Sequence, residues 1–149
     1  WMMHGETPIS VTAVTQTDKP NRYPRVDDDA TIILRYRRMQ AVLMPSWDWS
    51  FSIMRMALYG TKGYAVTSGP DKLRVRYQGQ NGSTTLTAPS LNAPKDDSLH
   101  YLAAVLRGQI VPRGDPAALD TNIVVMQILS AARESARTGR TVQLKPLPR

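Results

Sequence analysis

At 149 residues the chain is long enough for one domain with its own core, and 42% apolar with 21% charged residues excludes a globally disordered chain. It has no cysteine, which excludes disulfides, Cys-zinc sites and thiol nucleophiles, and no apolar run approaches the roughly 20 residues of a membrane helix. The net charge of +7 comes from 19 Lys and Arg against 12 Asp and Glu, but the basic residues are dispersed over 35–38, 72–76 and 133–140. Solvated faces are therefore favoured over nucleic-acid binding.

The chain opens on Trp1 rather than on an initiating methionine. A preceding segment, with any export signal it carried, is expected to have been removed. From Pro8 to about Thr87 short alternating runs predict strand after strand. "ISVTAVTQ" sets Ile9, Val11 and Ala13 on one face. Residues 30–36 and 40–46 read as a hairpin joined by "RRM". "SIMRMALYG", "TKGYAVTS" and "KLRVRYQ" predict three more strands, with Gly60 and Gly63 bracketing a turn. Asn81-Gly82 is a hairpin signal before a short strand at "TTLT". Met54, Met56 and Leu58 oppose Ile53 and Ala57, so this sheet is apolar on both faces.

The period then changes. After the loop "APSLNAPKDD", the residues Leu99, Leu102, Ala103 and Leu106 recur at helical spacing, with Asp96 or Asp97 as cap and Gly108 as stop. A second helix is predicted with Asp115 as cap, Pro116 in the first turn, a stripe of Val125, Ile128, Leu129, Ala132 and Ala136, and Gly139 at its end. "TVQL" reads as a last short strand and residues 145–149 as a tail. The fold class predicted is α+β: one domain over 1–149 with an open, mostly antiparallel or mixed sheet of six or more strands and helices packed on one face. Two helices cover only one face, so the other is expected to meet a partner.

No complete active site is legible, and no catalytic, cofactor-binding or metal residue is assigned. The sequence has no G-x-G-x-x-G and no P-loop. His4 and His100 stand far apart, and His100 beside the helical stripe reads as a packing or hydrogen-bonding residue. The run 27–29, "DDD", reads as a solvated strand entrance, with Asp27 and Asp29 on one side and Asp28 on the other. "MPSWDWSF" carries more chemistry. Trp47 and Trp49 share a side at a strand end with Asp48 opposite, and indoles beside a carboxylate suit a sugar ring, whose apolar faces and hydroxyl edges need different partners. The same residues also suit the plain sealing of a sheet end. Tyr23 and Arg25, with Arg22, are candidates for a polar rim.

In this order, "GETPISVTAVTQT", "DDDATIILRY", "QAVLMPSWDWSF", "MALYGTKGYAV", "HYLAAVLRGQI" and "ILSAARESARTGRTVQL" resemble the C-terminal domain of the Gfo/Idh/MocA oxidoreductase family, from Gly5 to Leu144. The resemblance implies an N-terminal Rossmann domain that binds NAD or NADP and is missing here, a sugar or polyol substrate, and a homodimer formed through the open sheet face; the cytoplasmic location expected rests on the absence of cysteine. The resemblance also implies that the family's catalytic residues lie upstream of Trp1. The chain alone is then expected to bind no cofactor and to be inactive. The substrate-side residues would be Trp47, Asp48, Trp49, Tyr23 and Arg25. No nucleic acid or membrane partner is expected. The alternative is a stand-alone dimerising interaction module without catalysis.

Overall fold

The computed structural model describes residues 6–113 and 115–145. Trp1, His4 and residues 146–149 of the expected tail lie outside them. The elements in chain order are β1 (Ser10–Gln16), β2 (Asp29–Arg35), β3 (Gln40–Leu43), β4 (Ala57–Gly60), β5 (Gly63–Thr67), β6 (Lys72–Tyr77), β7 (Thr84–Thr87), α1 (Ser98–Leu106), α2 (Leu119–Thr138) and β8 (Val142–Gln143). They fall into two compact units, one made of Trp1–Ser50 and Val111–Arg149, the other of Phe51–Ile110. The α+β class and the strand number agree with the sequence, but the strands divide between two four-stranded sheets, ordered β3-β2-β1-β8 and β4-β5-β6-β7. Every pairing described is antiparallel.

In the first unit the β-branched alternation of "SVTAVTQ" builds β1 as a strand with two unlike faces. Val11 and Ala13 turn inward, and antiparallel pairing with β2 (Val11 opposite Leu34, Ala13 opposite Ile32) sets Leu34 and Ile32 beside them. These four, with Tyr36, Ala131 and Ala132, form the core. The small residues Ala131, Ala132 and Ser135 of α2 are its buried positions, and they let the helix lie close on β1. Full burial of Val11 stabilises the unit by about 2 kcal/mol. On the other face Val14, Ile33 and Val42 stay exposed, Ile33 directly opposite Val42.

The α2 ends repay comparison with the sequence. Gly139, with φ 66°, closes the helix as expected. The N-cap, however, is Ala118. Asp115 and Pro116 belong to a preceding turn in which the Ala117 amide donates to Asp115 Oδ1 at 2.8 Å, and the Asn122 side chain donates to the Ala118 and Pro116 carbonyls. Of the predicted stripe, Ile128, Ala132 and Ala136 join the core, while Val125 and Leu129 remain exposed.

In the second unit β4 starts only at Ala57, not at Ser52. Met54 is 95% exposed, so the apolar alternation of residues 52–56 has nothing to bury against. The β4–β5 hairpin turns at Gly63, whose φ of 147° and close backbone neighbour, Arg76, admit no side chain. Between β6 and β7 the positive φ falls at Gly79, not in a two-residue Asn81-Gly82 turn, and Gln80 secures the loop by accepting from the Tyr77 amide and the Arg76 guanidinium. Asp97 caps α1, accepting from the Leu99 and His100 amides, which hold its carboxyl below the ordinary range. The buried position of α1 is Ala104, whereas Leu99, Leu102 and Leu106 are exposed.

Candidate functional site

Two segments of the first unit converge beyond the open end of the β1–β2–β3 sheet: the connection 17–28 and the segment 44–49. Asp28 organises both. Its amide donates to Gln16 O at 3.1 Å and its carbonyl accepts from the Trp47 amide at 2.8 Å. Its carboxylate accepts from the Asp18 amide at 2.7 Å through Oδ1 and from the Lys19 amide at 2.9 Å through Oδ2. Asp28 is 4% exposed, so it is no solvated strand entrance. Asp27, by contrast, is exposed and Asp29 half-buried.

The turn held by Asp28 carries the aromatic residues. The Lys19 carbonyl accepts from the Arg22 and Tyr23 amides at 2.9 and 2.8 Å, a single turn that stands Tyr23 against Trp47 with ring centroids 5.4 Å apart and planes tilted by 51°. The Arg22 guanidinium lies 5.6 Å from the Tyr23 ring centre. Trp47 is 65% exposed, which leaves indole surface open to a ligand. Trp49 is 45% exposed and has no ring partner among the described residues. Arg25 is exposed on the same connection, without an ion pair among the described residues.

Beneath this wall lies a compact charge group. The Lys19 ammonium stands 3.1 Å from Asp48 Oδ1 and donates to the Asp48 and Trp47 carbonyls at 3.1 and 3.4 Å. The Asp48 contact is an ion pair by distance and not a directed hydrogen bond, and both Asp48 carboxylate oxygens are shielded from water. Loss of hydration raises the Asp48 carboxyl, the Lys19 ammonium lowers it and the neighbouring Asp28 carboxylate raises it again; the outcome lies above the ordinary value of 3.8. For Asp28 loss of hydration acts upward too, but the Asp18 and Lys19 amides, then Asp48, hold it below 3.8. Asp18, Asp28 and Asp48 bring carboxylate oxygens within 4.8 Å of one another. The Lys19 ammonium already supplies the compensating cation and both Asp28 oxygens are taken by amides, so no metal is assigned here.

What the arrangement offers is a tilted, exposed aromatic wall on loops braced by the Lys19–Asp48 pair; the rings suit the apolar face of a ligand ring, and the shielded Asp48 carboxylate braces the loop. Tyr23, Trp47 and Asp48 come together in it; Trp49 and Arg25 lie exposed nearby in sequence. Lys19 and Asp28 are absent from the sequence-derived set. For Asp28 a signal exists: it shares parity with Ile32 and Leu34, the inward positions of β2. For Lys19 there is none, because its role depends on a strand end 28 residues away. In the second unit a shallow groove of about 310 Å³ runs past Leu58, Tyr59, Tyr64, Val75 and Tyr77, with Tyr59 and Tyr64 centroids 6.2 Å apart. Lys62 is among its lining residues and no carboxylate is.

No curated protein matches this sequence. Among solved structures, the chain is similar to an oxidoreductase from Thermotoga maritima (18% identity, TM-score 0.72, covering 94% of this chain and 42% of that one). It is similar also to an oxidoreductase from Agrobacterium radiobacter in complex with NAD+, L-tartaric acid and magnesium (21%, 0.65, 92% and 43%). A third is a protein described as a myo-inositol dehydrogenase from Sinorhizobium meliloti 1021 (18%, 0.64, 95% and 45%). The chain thus spans less than half of each. At these identities the likeness shows a shared fold. The family model for the C-terminal alpha/beta domain of the oxidoreductase family matches residues 1–144, and on that match the chain belongs to the Gfo/Idh/MocA oxidoreductases through their C-terminal domain.

Proposed function

We propose that the chain is the substrate-binding and dimerisation part of an NAD(P)-dependent oxidoreductase acting on a sugar or polyol. The observation that carries this reading is the exposed Tyr23–Trp47 wall, on loops braced by the Lys19–Asp48 pair, in a chain of this family. Relatives bearing L-tartaric acid or described as acting on myo-inositol support a polyhydroxylated substrate. Among the described residues, the positive-φ glycines lie in hairpins (Gly63, Gly79) or follow helices (Gly108, Gly139). None leads from a strand into a helix N-terminus, so these residues do not fit a dinucleotide pyrophosphate. NAD or NADP is assigned to an N-terminal nucleotide-binding domain acting with this chain. The exposed Val14, Ile33 and Val42 face supports a homodimer through the sheet.

Calorimetric titration of the chain with myo-inositol, L-tartrate and NADH tests the assignment. Expected are saturable binding of a polyol with a Kd on the order of 1 mM and no measurable NADH binding. Low-micromolar NADH affinity would place the cofactor site in this chain and overturn the division of labour. The coding DNA before Trp1 gives a second check. An open frame with a glycine-rich strand-to-helix turn supports the reading, and a start codon with a ribosome-binding signal directly before Trp1 points instead to a stand-alone interaction module.

A further inference from the structure

The connection carrying Tyr23 and the segment carrying Trp47 belong to different loops, and among the described residues the hydrogen bonds that join 17–25 directly to 44–49 all come from one atom, Lys19 Nζ. An ammonium has three protons. Two carbonyls accept from it, that of Asp48 at 3.1 Å and that of Trp47 at 3.4 Å, and Asp48 Oδ1 stands 3.1 Å away as its ion-pair partner. At its other end the same residue is fixed by its backbone, the amide to Asp28 and the carbonyl to the Arg22 and Tyr23 amides. One residue therefore starts the turn that presents Tyr23 and grips the backbone that presents Trp47.

We propose that Lys19 is the positioning residue of the substrate wall, its ammonium fixing the separation and tilt of the Tyr23 and Trp47 rings and thereby the ring substrate that fits them. The proposal rests on the substrate-binding reading above. Asp28 also links the two segments, its carboxylate accepting from the Asp18 and Lys19 amides and its carbonyl from the Trp47 amide, but it does so from residue 28 at the start of β2, whereas the Lys19 ammonium ties the Tyr23 turn straight to the Trp47–Asp48 backbone. The Lys19 side chain is 41% exposed while that of Asp48 is 13% exposed, so shortening or neutralising Lys19 opens no core cavity. It leaves two carbonyls without their donor and a shielded carboxylate without its cation. Arginine restores charge and donors on a planar fork of different reach, and is expected to recover ring geometry only in part.

The test is a set of 15N–1H spectra and myo-inositol titrations on the full chain as wild type, Lys19→Met and Lys19→Arg, with the Trp47 indole resonance assigned through Trp47→Phe. In Lys19→Met the Trp47 indole N–H is expected to shift and myo-inositol binding to weaken roughly ten- to a hundredfold, while the Val11 and Ala132 amides stay in place; Lys19→Arg should fall between. An unmoved Trp47 resonance in Lys19→Met overturns the proposal, as does a shift that spreads to the core amides. If the wild type takes up neither myo-inositol nor L-tartrate, the substrate reading fails on its own, and a shifted Trp47 resonance still supports Lys19 as the element that sets the ring pair.

Discussion

The Ala13 amide of β1 donates to the Ser135 hydroxyl of α2 at 2.9 Å, a buried bond between residues 122 positions apart. It arises because β8 pairs only with Ser10 and Val11, so β1 runs on past the end of its neighbour with a donor left to satisfy. Ser135, 1% exposed, supplies the acceptor that a longer β8 would have supplied. Ser135→Ala leaves the Ala13 N–H buried and unpaired, and is expected to lower stability by about 1–3 kcal/mol. Urea unfolding at fixed slope measures it, and an unchanged midpoint would mean that water reaches Ala13.

Gly63 gives a prediction confined to the second unit. Its φ is 147°, and a Cβ built there would lie 2.1 Å from the Arg76 carbonyl oxygen and 3.0 Å from Tyr77 Cα. These are backbone atoms of β6, so no side chain can swing away. Gly63→Ala is expected to cost roughly 1–3 kcal/mol for the backbone conformation alone, before the displacement of β5 from β6. Hydrogen exchange locates the effect: amides of β4 to β7 should lose protection while those of β1 and β2 keep it.

These two contacts also mark what the sequence can and cannot reveal. The β1, β2 and β3 strands are legible because one face is buried, and burial is what makes alternation informative. Where alternation lacks a covering layer, as at Met54, the same pattern overpredicts a strand. Asn81-Gly82 favours a two-residue turn, yet the longer loop wins because Gly79 takes the positive φ and Gln80 ties the loop to Arg76 and Tyr77. In the site, Trp47, Asp48 and Tyr23 are visible as chemically apt residues. Their assembly is not, since it depends on Asp28 and Lys19 bonds across different loops, and a lysine beside a proline in "DKPN" looks like any solvated turn.

The shielded Asp48 implies an unusual response to acid. An ordinary buried carboxylate with a lowered value, such as Asp28, contributes stability that is present above 3.8 and is lost as pH falls through its folded value. Asp48 has the opposite sign. Its folded value lies above 3.8, so the folded chain binds the proton more readily than the unfolded chain, and stability gains as pH falls from above the folded value towards 3.8. Asp48→Asn keeps the side-chain shape and removes the charge whose loss of hydration and nearness to the Asp28 carboxylate raise the Asp48 value. It is therefore expected to be at least as stable as wild type at pH 7, with the difference shrinking as pH falls towards 4. Thermal melts at pH 4, 5, 6 and 7 decide this; an Asp48→Asn deficit that grows with pH would show that the Lys19 ion pair outweighs the loss of hydration.

The two indoles of "SWDWS" are separable by what stands beside each. Trp47 has Tyr23 at 5.4 Å and Lys19 on its carbonyl, so its ring and its backbone each have a partner before any ligand arrives. A wall fixed in advance loses little freedom on binding. Because Trp47 is 65% exposed, Trp47→Ala should change folding stability by less than about 1 kcal/mol, yet weaken polyol binding about tenfold, the equivalent of about 1.4 kcal/mol. Tyr23→Ala is expected to act in the same direction through Trp47, and Tyr23→Phe, which keeps the ring, much less. If the rings work as a pair, the double variant Tyr23→Ala/Trp47→Ala loses less than the sum of the single losses. Strict additivity in that cycle would instead mean that each ring meets the ligand on its own, with the tilted contact of Tyr23 and Trp47 irrelevant to recognition.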